Sequence, residues 1–313
     1  KSKYLDDSIA ESTGIWAGRH FETDDAIIFV GACGIAVRSI APYVASKKSD
    51  PAVLVIDECG KFVISLLSGH LGGANELTLE VAELLGAVPV VTTATDLHHR
   101  FAVDVFAKKN CCGIQNMKAA KEVSAALLAG EPVGFYSEFP WTGKLPEGLE
   151  ESSEDTQDKP EIGIAVTIHQ TCKPFTSTVQ IIPRVVTLGM GCRRNKEADV
   201  IEKEASVCLA DADIYSQAVE KLTSISIKKD EVGLQKLAED WRIPFITFEE
   251  EELSHAEGEF TPSEFVKKIT GVNNVCERSA VLGAEQGRLI KNKTGRNGVT
   301  TALALRNWEV HFE

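Results

Sequence analysis

The sequence predicts an α/β protein in which two α/β domains with mostly parallel sheets are joined by a small middle module. Two observations favour this class. Apolar, strand-like runs alternate with segments of helical period, which is the pattern of layered α/β folds. Three of these runs lead into glycine-rich turns, at residues 31–34, 68–75 and 189–196. Such turns lie at the carboxyl ends of strands, where open α/β sheets bind their ligands.

A change in composition marks the middle of the chain. Residues 140–160 combine Pro, Gly and Ser with acidic side chains and few apolar ones, which predicts an exposed linker. The predicted division is residues 1–96, a middle module at 97–183 that contains this linker, and residues 184–313. The chain begins with Lys and not with Met, so we expect that its true beginning is missing or tagged.

The stretch from residue 62 to residue 96 carries the clearest pattern. Residues 62–67 predict a strand, a glycine bend surrounds His70, and a helix is expected to begin near Asn75 and to stop at Gly86. A buried strand is predicted at residues 88–91. One face of the helix is expected to bury Leu77, Val81, Leu84 and Leu85.

Other elements of the first two regions follow from local signals. Residues 26–30 have the pattern of a fully buried strand, and residues 53–57 are expected to form a hairpin with the strand at 62–67. In the middle module, Asn116 is expected to cap a helix that stops at Gly130. Strands are predicted at residues 133–137 and 162–168, with an irregular connection at 174–183.

The last region is predicted to be a second α/β layer. A strand at residues 185–188 leads into the third glycine turn, and Thr261 begins a capping box that is expected to start a helix ending at Gly271. The remaining predictions are a helix at 197–210, another helix that follows it and ends at 222, and helices at 234–241 and 275–284. Strands are predicted at 225–227 and 245–248, and a hairpin at 288–305.

Composition argues against several classes of protein. With 46 acidic and 33 basic residues the formal net charge is −13, which argues against a general binder of nucleic acid or anionic membranes. No apolar run approaches the roughly 20 residues of a membrane span, and no signal peptide is visible. The 8 cysteines lack a disulfide-scaffold spacing, so we expect a cytoplasmic protein.

The glycine turns and their basic neighbours predict an anion-binding protein. Each turn can be a plain packing turn, or it can present N–H groups and a helix dipole to an anion. Arg193, Arg194 and Lys196 precede a predicted helix start, where cations oppose the helix dipole, so their presence suggests an anionic partner.

The candidate acids and bases each have a structural alternative. His70 can be a general acid or base, or a structural histidine. Acids at predicted strand ends can act in proton transfer or lie at the surface: Asp57, Glu58, Asp96 and Glu231. No G-x-S-x-G surrounds Ser68, no zinc spacing is present, and no turn completes G-x-G-x-x-G, which disfavours a serine nucleophile, a metal site and a nucleotide-dependent enzyme.

Several segments resemble the cobalt-precorrin-5A hydrolase family, the CbiG proteins of anaerobic cobalamin biosynthesis. In the first domain they are GACGIAVRSIAPYV (31–44), DPAVLVIDECGKFVISLLSGHLGGANELT (50–78) and VPVVTTATD (88–96). FAVDVFAKKN (101–110) resembles the middle region of that family. LGMGCRRNK (188–196), SISIKKDEVGLQKLAEDW (224–241) and ITGVNNVCERSAVLGA (269–284) resemble its carboxyl-terminal domain, which is shared with the CobE proteins. Cys33 stands where a small apolar residue is expected.

The resemblance implies a reaction and a substrate. Family members open the δ-lactone on ring A of cobalt-precorrin-5A and release the methylated C20 unit as acetaldehyde, which gives cobalt-precorrin-5B. Water is the cosubstrate, the cobalt belongs to the substrate, and no further cofactor is expected. Hand-over of the corrinoid to neighbouring enzymes of the pathway is an expected partnership.

We assign the candidate site on this basis as a hypothesis. His70 or Glu76 would act as acid or base in lactone opening, the backbone of residues 69–73 would stabilise the oxyanion, and Asp57 or Asp96 would transfer a proton in the carbon–carbon cleavage. The expected substrate-binding residues are Gly31, Gly34, Arg38, Ser68, Gly69, Gly72, Gly73, Asn75, Gly189, Gly191, Cys192, Arg193, Arg194 and Lys228, with Lys196 beside them. The alternative is a corrinoid carrier that binds an intermediate without catalysis.

Overall fold

The computed structural model describes residues 11–46, 49–70, 72–93, 101–153, 156 and 158–312. The chain forms two compact units. The first comprises Lys1–Lys108 with Leu127–Ala129, and the second comprises Lys109–Ala126 with Gly130–Glu313. The predicted boundary between residues 96 and 97 lies outside the described residues. Among the described helices, none has both the length and the apolar character that crossing a membrane requires.

The first unit contains a four-stranded sheet with the order β1-β2-β3-β4. β1 pairs parallel with β2, β2 antiparallel with β3, and β3 parallel with β4, so the predicted hairpin between β2 and β3 is confirmed. In chain order its elements are α1 (Thr13–Phe21), β1 (Ala26–Val30), α2 (Cys33–Ile40), β2 (Ala52–Ile56), β3 (Phe62–Leu67), α3 (Ala74–Leu85), β4 (Val88–Val90) and α4 (Val103–Lys109).

Two apolar clusters cover the two faces of this sheet. Alternating residues of β2 separate them: Val53 and Val55 pack with α1 and α2, whereas Leu54 packs with α3. This alternation follows from the two-residue period of a strand. Helices on both faces explain why β2, at an inner position, is buried on both sides.

Three burial predictions for this unit are wrong. β1 alternates between buried and exposed residues, because it lies at the sheet edge. Leu84 at the end of α3 is 85% exposed and Leu85 is also exposed, because the buried face runs through Ala74, Thr78 and Ala82, one turn apart. The short edge strand β4 is likewise not buried.

The second unit begins with a five-stranded sheet of order β5-β10-β9-β6-β8. β10, β9, β6 and β8 pair in parallel, and β5 is antiparallel to β10. As predicted, Asn116 caps the helix through its Oδ1, which accepts from Ala119 N at 3.2 Å. The elements are β5 (Cys112–Gln115), α5 (Met117–Ala129), β6 (Val133–Ser137), β7 (Trp141–Gly143), β8 (Leu149–Glu151), β9 (Ile162–Val166) and β10 (Ser177–Pro183).

Two segments that the sequence predicted to be irregular form strands. The segment 140–160 contains β7 and β8, and β7 pairs in parallel with the last strand of the chain. The segment 174–183 contains β10, which lies between β5 and β9 and is almost wholly buried. The prolines and acidic residues around these strands concealed them, although a proline at the end of a strand need not interrupt the pairing.

The rest of the second unit is built on a sheet of order β13-β12-β11-β15-β14. β11, β12 and β13 are parallel, and β15 and β14 add an antiparallel hairpin, as predicted. The predicted α/β class with mostly parallel sheets is confirmed. The elements are β11 (Val186–Cys192), α6 (Ala198–Asp211), β12 (Val219–Ile225), α7 (Val232–Asp240), β13 (Phe245–Phe248), α8 (Glu250–Ser254), α9 (Glu264–Thr270), α10 (Cys276–Gly283), β14 (Arg288–Arg296), β15 (Val299–Leu305) and β16 (Val310–Phe312).

Three predictions for this region need correction. Gly189 and Gly191 belong to β11 and not to a turn. A Cβ on Gly189 would lie 1.9 Å from the carbonyl oxygen of Cys276, so this glycine allows α10 to pack against the sheet. The second helix, which was expected to end at residue 222, is not formed, and residues 219–225 form β12 instead.

The third correction concerns the capping box at Thr261. The helix there begins at Glu264, and its cap is Ser263. Thr261 instead donates from its N–H and its hydroxyl to the buried carboxylate of Glu277. Asn274 Nδ2 and Lys293 N also donate to that carboxylate. Thr261 therefore belongs to a tertiary hydrogen-bond network and does not cap the helix as the local pattern predicted.

Candidate functional site

The glycine bend between β3 and α3 uses several of its own N–H groups. Ala74 N donates to Ser68 O at 3.1 Å, and Asn75 N donates to Gly69 O at 2.9 Å. Gly73 N donates to His70 O at 3.0 Å. Gly73 therefore does not offer its N–H to an oxyanion, and an oxyanion role for the other residues of 69–73 stays a prediction.

Asn75 holds the bend together. Its Oδ1 accepts from Ser65 Oγ at 2.6 Å, and its Nδ2 donates to Thr93 Oγ1 at 2.7 Å. Asn75 is buried, and a Cβ on Gly69 would lie 2.7 Å from its Oδ1. These contacts give Asn75 a structural role, because they connect β3, α3 and the segment after β4.

Ser68 and Gly72 lie so close together in the bend that no side chain fits at Gly72. Ser68 has a φ of 58°, and a Cβ on Gly72 would lie 2.4 Å from the Ser68 Cβ. Among the described residues, the buried Ser68 Oγ has no hydrogen-bond partner. A buried hydroxyl normally has a hydrogen-bond partner, so Ser68 is an exception within the described part of the chain.

His70 forms an ion pair that the sequence did not predict. Its Nδ1 lies 3.4 Å from Asp104 Oδ1 on α4, and the side chains are 15% and 16% exposed. A carboxylate at one ring nitrogen orients the imidazole. This geometry fits both the acid–base and the structural interpretation of His70, and both stay predictions.

Lys108 is a second residue that sequence reasoning missed. Its Nζ lies 3.1 Å from the position of a Cβ on Gly73, which has a φ of 83°. Asp104 and Lys108 are four residues apart on α4, which places both on one face of the helix. That spacing was the signal in the sequence that could have pointed to them.

The other acids assigned to this site differ in their suitability. Asp57 accepts from Phe62 N at 2.5 Å and from Cys59 N at 2.8 Å in the β2–β3 hairpin. These hydrogen bonds, that from Phe62 above all, lower the pKa of Asp57, so it remains a carboxylate and has a structural role in the turn. Glu76 is exposed on α3, and Asp96 lies outside the described residues.

The first glycine turn carries an exposed cation. Gly31, with a φ of 142°, donates its N–H to Ile56 O at 2.8 Å. Arg38 on α2 folds back over Gly34, where a Cβ would lie 3.5 Å from its Nη1. The guanidinium of Arg38 therefore lies near the start of α2.

A second group of candidate residues lies at the carboxyl ends of β11 and β12. Arg193 and Arg194 are exposed, and neither guanidinium has a partner within the described part of the chain. Cys192 is half-buried, and this burial raises the pKa of its thiol to about 11, with Lys228 opposing and Glu231 adding to the effect. Cys192 is therefore a neutral thiol and not a nucleophilic thiolate at neutral pH.

Lys228 is already neutralised by a neighbour. Its Nζ lies 2.8 Å from Glu231 Oε2, and Glu231 Oε1 accepts from Lys196 N at 3.3 Å. Burial raises the pKa of Glu231, but the hydrogen bond and charge of Lys228 outweigh it and lower the pKa overall. The available cations at this edge are therefore Arg193 and Arg194, and not the predicted Lys228.

Within the residues that the structure describes, no group of three or more His, Cys, Asp or Glu side chains is arranged to hold a metal ion.

Fold and sites together define a multidomain α/β protein that presents cations and a histidine–carboxylate pair at the carboxyl ends of its strands. Residues 16–96 match the family described as Cobalamin synthesis G N-terminal, residues 101–183 the Cobalamin biosynthesis central region, and residues 186–304 the Cobalamin synthesis G C-terminus. The chain belongs to this cobalamin synthesis G (CbiG) family.

Curated relatives agree with this assignment. A cobalt-precorrin-5A hydrolase of Salmonella typhimurium is 37% identical over 92% of this chain and 84% of its own. A cobalt-precorrin-5A hydrolase of Priestia megaterium is 36% identical over 90% of this chain and 79% of its own. Protein CobE of a Sinorhizobium species is 29% identical over 38% of this chain and 79% of its own, in keeping with the predicted resemblance to CobE.

Proposed function

We propose that this protein is a cobalt-precorrin-5A hydrolase of cobalamin biosynthesis. The observation that carries the proposal is its 37% identity to a hydrolase of that name over 92% of the chain. The site chemistry agrees, because a corrinoid precursor with many carboxylates needs cations, and Arg38, Arg193 and Arg194 are exposed.

Lactone opening is the first proposed step. Water adds to the acyl carbon of the ring A lactone, and the C–O bond breaks to give a carboxylate and a hydroxyl on C20. His70, oriented by Asp104 at 3.4 Å, accepts the proton of the attacking water. We assign stabilisation of negative charge on the carbonyl oxygen to the N–H groups of Gly69 and Gly72. Lys108, whose Nζ lies 3.1 Å from the position of a Cβ on Gly73, would add a positive charge there.

Release of the two-carbon unit is the second proposed step. The bond between C20 and the macrocycle breaks, C20 leaves with its methyl group as acetaldehyde, and the macrocycle takes up a proton. Asp57 is poorly suited to donate this proton, because its lowered pKa keeps it ionised. The other acid predicted for this role, Asp96, lies outside the described residues.

The proposal extends to the cofactor, the partners and the location. The cobalt enters as part of the substrate, and the protein needs no cofactor of its own for a hydrolysis with water. The corrinoid is received from and passed to neighbouring enzymes of the pathway, and these steps take place in the cytoplasm.

An anaerobic assay tests the activity. Purified protein is incubated with cobalt-precorrin-5A, and acetaldehyde is trapped as a hydrazone while the corrinoid product is followed by mass spectrometry. The expected result is one acetaldehyde for each lactone opened, with none from heat-denatured protein. Corrinoid that is bound but unchanged would contradict the hydrolase and support the carrier alternative.

A further inference from the structure

A second histidine–carboxylate pair lies in the second unit, apart from every residue assigned above. Glu138 follows β6 and His169 follows β9, and these two strands are parallel neighbours whose ends pair at Ser137 and Val166. His169 Nδ1 lies 2.8 Å from Glu138 Oε1. Parallel strands thus bring both residues to one carboxyl edge, the usual place for ligands in an open α/β sheet.

The pair is held rigidly. Glu138 Oε2 accepts from Thr167 Oγ1 at 2.6 Å and from Ile168 N at 3.2 Å. The backbone of His169 forms a bridge with Ile214. Because Nδ1 faces Glu138, Nε2 is the nitrogen left for a ligand, and it makes no hydrogen bond or ion pair with the other described residues.

Both residues line a cavity of about 990 Å³. That volume is at the upper end of small-molecule sites, which span about 300–1,000 Å³. Trp308 and Phe139 form part of its wall, with their rings edge to face at 5.2 Å. An aromatic wall of this kind suits a large, flat ligand.

The charges of the cavity favour an anion, although the chain as a whole is acidic. Three cations and two carboxylates, those of Glu138 and Asp211, line it, and Arg288 is exposed with no ion-pair partner in the described part of the chain. Lys291 lies 3.8 Å from Asp211, and Arg306 Nε lies 3.1 Å from Glu220. Arg288 is therefore the cation that is most available to a carboxylate of the ligand.

We propose that this cavity binds the polycarboxylate macrocycle, and that His169, positioned by Glu138, is the proton-transfer residue of the carbon–carbon cleavage. The identity of the macrocycle rests on the proposed function. In this step R–CH(CH₃)–OH gives R–H and acetaldehyde. Nε2 of His169 takes the hydroxyl proton as the carbonyl forms. The electron pair of the broken bond passes to the macrocycle carbon, which takes the proton back from the imidazolium.

Four variants test this proposal: His169→Gln, Glu138→Gln, Arg288→Glu, and the control Lys203→Glu, which makes the same change of charge as Arg288→Glu at an exposed position on α6 outside the cavity. Binding is measured with cobyrinic acid, a stable corrinoid polycarboxylate, by quenching of tryptophan fluorescence. Turnover is measured as acetaldehyde from cobalt-precorrin-5A. Circular dichroism checks that each variant is folded.

Arg288→Glu is expected to weaken binding of cobyrinic acid by about tenfold or more, since a charge-assisted contact contributes about 1.5–3 kcal/mol, whereas Lys203→Glu leaves binding unchanged. His169→Gln is expected to lower kcat about 10²–10⁴-fold, with Kd nearly unchanged and a lactone-opened intermediate accumulating. Glu138→Gln should shift the pH profile of kcat.

Wild-type Kd for Arg288→Glu, or wild-type kcat for His169→Gln, would overturn the corresponding half of the proposal. These outcomes are separable from a failure of the proposed function. If the wild-type protein binds cobyrinic acid but releases no acetaldehyde, the proposed hydrolase activity is wrong. The Kd of Arg288→Glu then still shows whether cobyrinic acid binds in the cavity. If the wild-type protein does not bind cobyrinic acid, the assignment of the cavity is wrong.

Discussion

His70 Nδ1 lies 3.4 Å from Asp104 Oδ1, so a glycine bend and a helix later in the chain together form one histidine–carboxylate pair. The pair orients an imidazole beside a bend whose Ser68 hydroxyl is buried and unpartnered among the described residues. An imidazole held beside a carboxylate is one of the arrangements that hydrolytic sites use for proton transfer.

Replacement of His70 is expected to impair lactone opening. His70→Ala should lower the rate of acetaldehyde release about 10²–10⁴-fold, the usual contribution of general acid–base catalysis. Asp104→Asn should lower it less, because the imidazole keeps its place but loses the adjacent charge. The matched control is His20→Ala, which removes another histidine of this unit that pairs with a carboxylate, at 2.7 Å from Asp24. Unchanged turnover in His70→Ala would exclude its assigned role.

Gly72 is expected to be required for the folded bend. In Gly72→Ala the new Cβ would lie 2.4 Å from Ser68 Cβ and 2.8 Å from Ser68 O, so we expect a loss of about 1–3 kcal/mol in the free energy of unfolding. Gly14→Ala is the control: no atom lies within 4 Å of its Cβ, and alanine is the better helix former, so stability should rise by about 0.5–1 kcal/mol. Urea denaturation measures both, and equal stability of the two variants would contradict the close contact.

Glu231 should stabilise the protein in a pH-dependent way. Its side chain is 7% exposed and its pKa is lowered below the ordinary 4.5, so its contribution is present above that pH and is lost as the pH falls through the lowered pKa. Glu231→Gln should cost about 1–3 kcal/mol at pH 7, because Lys228 loses its partner.

The difference between wild type and Glu231→Gln should therefore shrink below about pH 4.5. Asp240→Asn, which breaks the exposed pair with Lys236, should leave the free energy of unfolding nearly unchanged at either pH. Unfolding by urea at pH 7 and at acidic pH measures the effect. A difference for Glu231→Gln that does not depend on pH would show that the ion pair with Lys228 is not its source.

Arg193 and Arg194 should contribute to binding of the anionic substrate. Replacement of both by Ala should weaken corrinoid binding by about tenfold or more for each lost charge-assisted contact, and should reduce the dependence of Kd on salt. Lys203→Ala, on the exposed face of α6, is the control and should change neither quantity. A salt dependence as steep as that of the wild type would mean that these arginines do not contact the ligand.

Local signals in the sequence determined much of the fold. Periodicity and glycine placement were sufficient for β1, β3, β6 and β13, for the ends of α3 at Gly86 and of α9 at Gly271, and for the cap at Asn116. These features depend on backbone preferences and side-chain period within a few residues, which a single sequence contains. The same information located the glycine bend, and the quoted segments led to the family.

Tertiary structure alone decided the rest, because the deciding contacts join residues that are distant in the chain. Leu84 is exposed because the sheet meets α3 on its alanine face, and β10 is a buried strand because β5 and β9 flank it. Asp57 has a structural role in its turn because its carboxylate accepts a hydrogen bond from Phe62 N. The charge of Lys228 is neutralised by the buried Glu231. The partners of both candidate histidines, Asp104 for His70 and Glu138 for His169, come from other elements of the fold. Sequence determined which residues carry the chemistry, whereas packing decided which of them meet, since a charge or a proton acceptor acts over only a few ångströms.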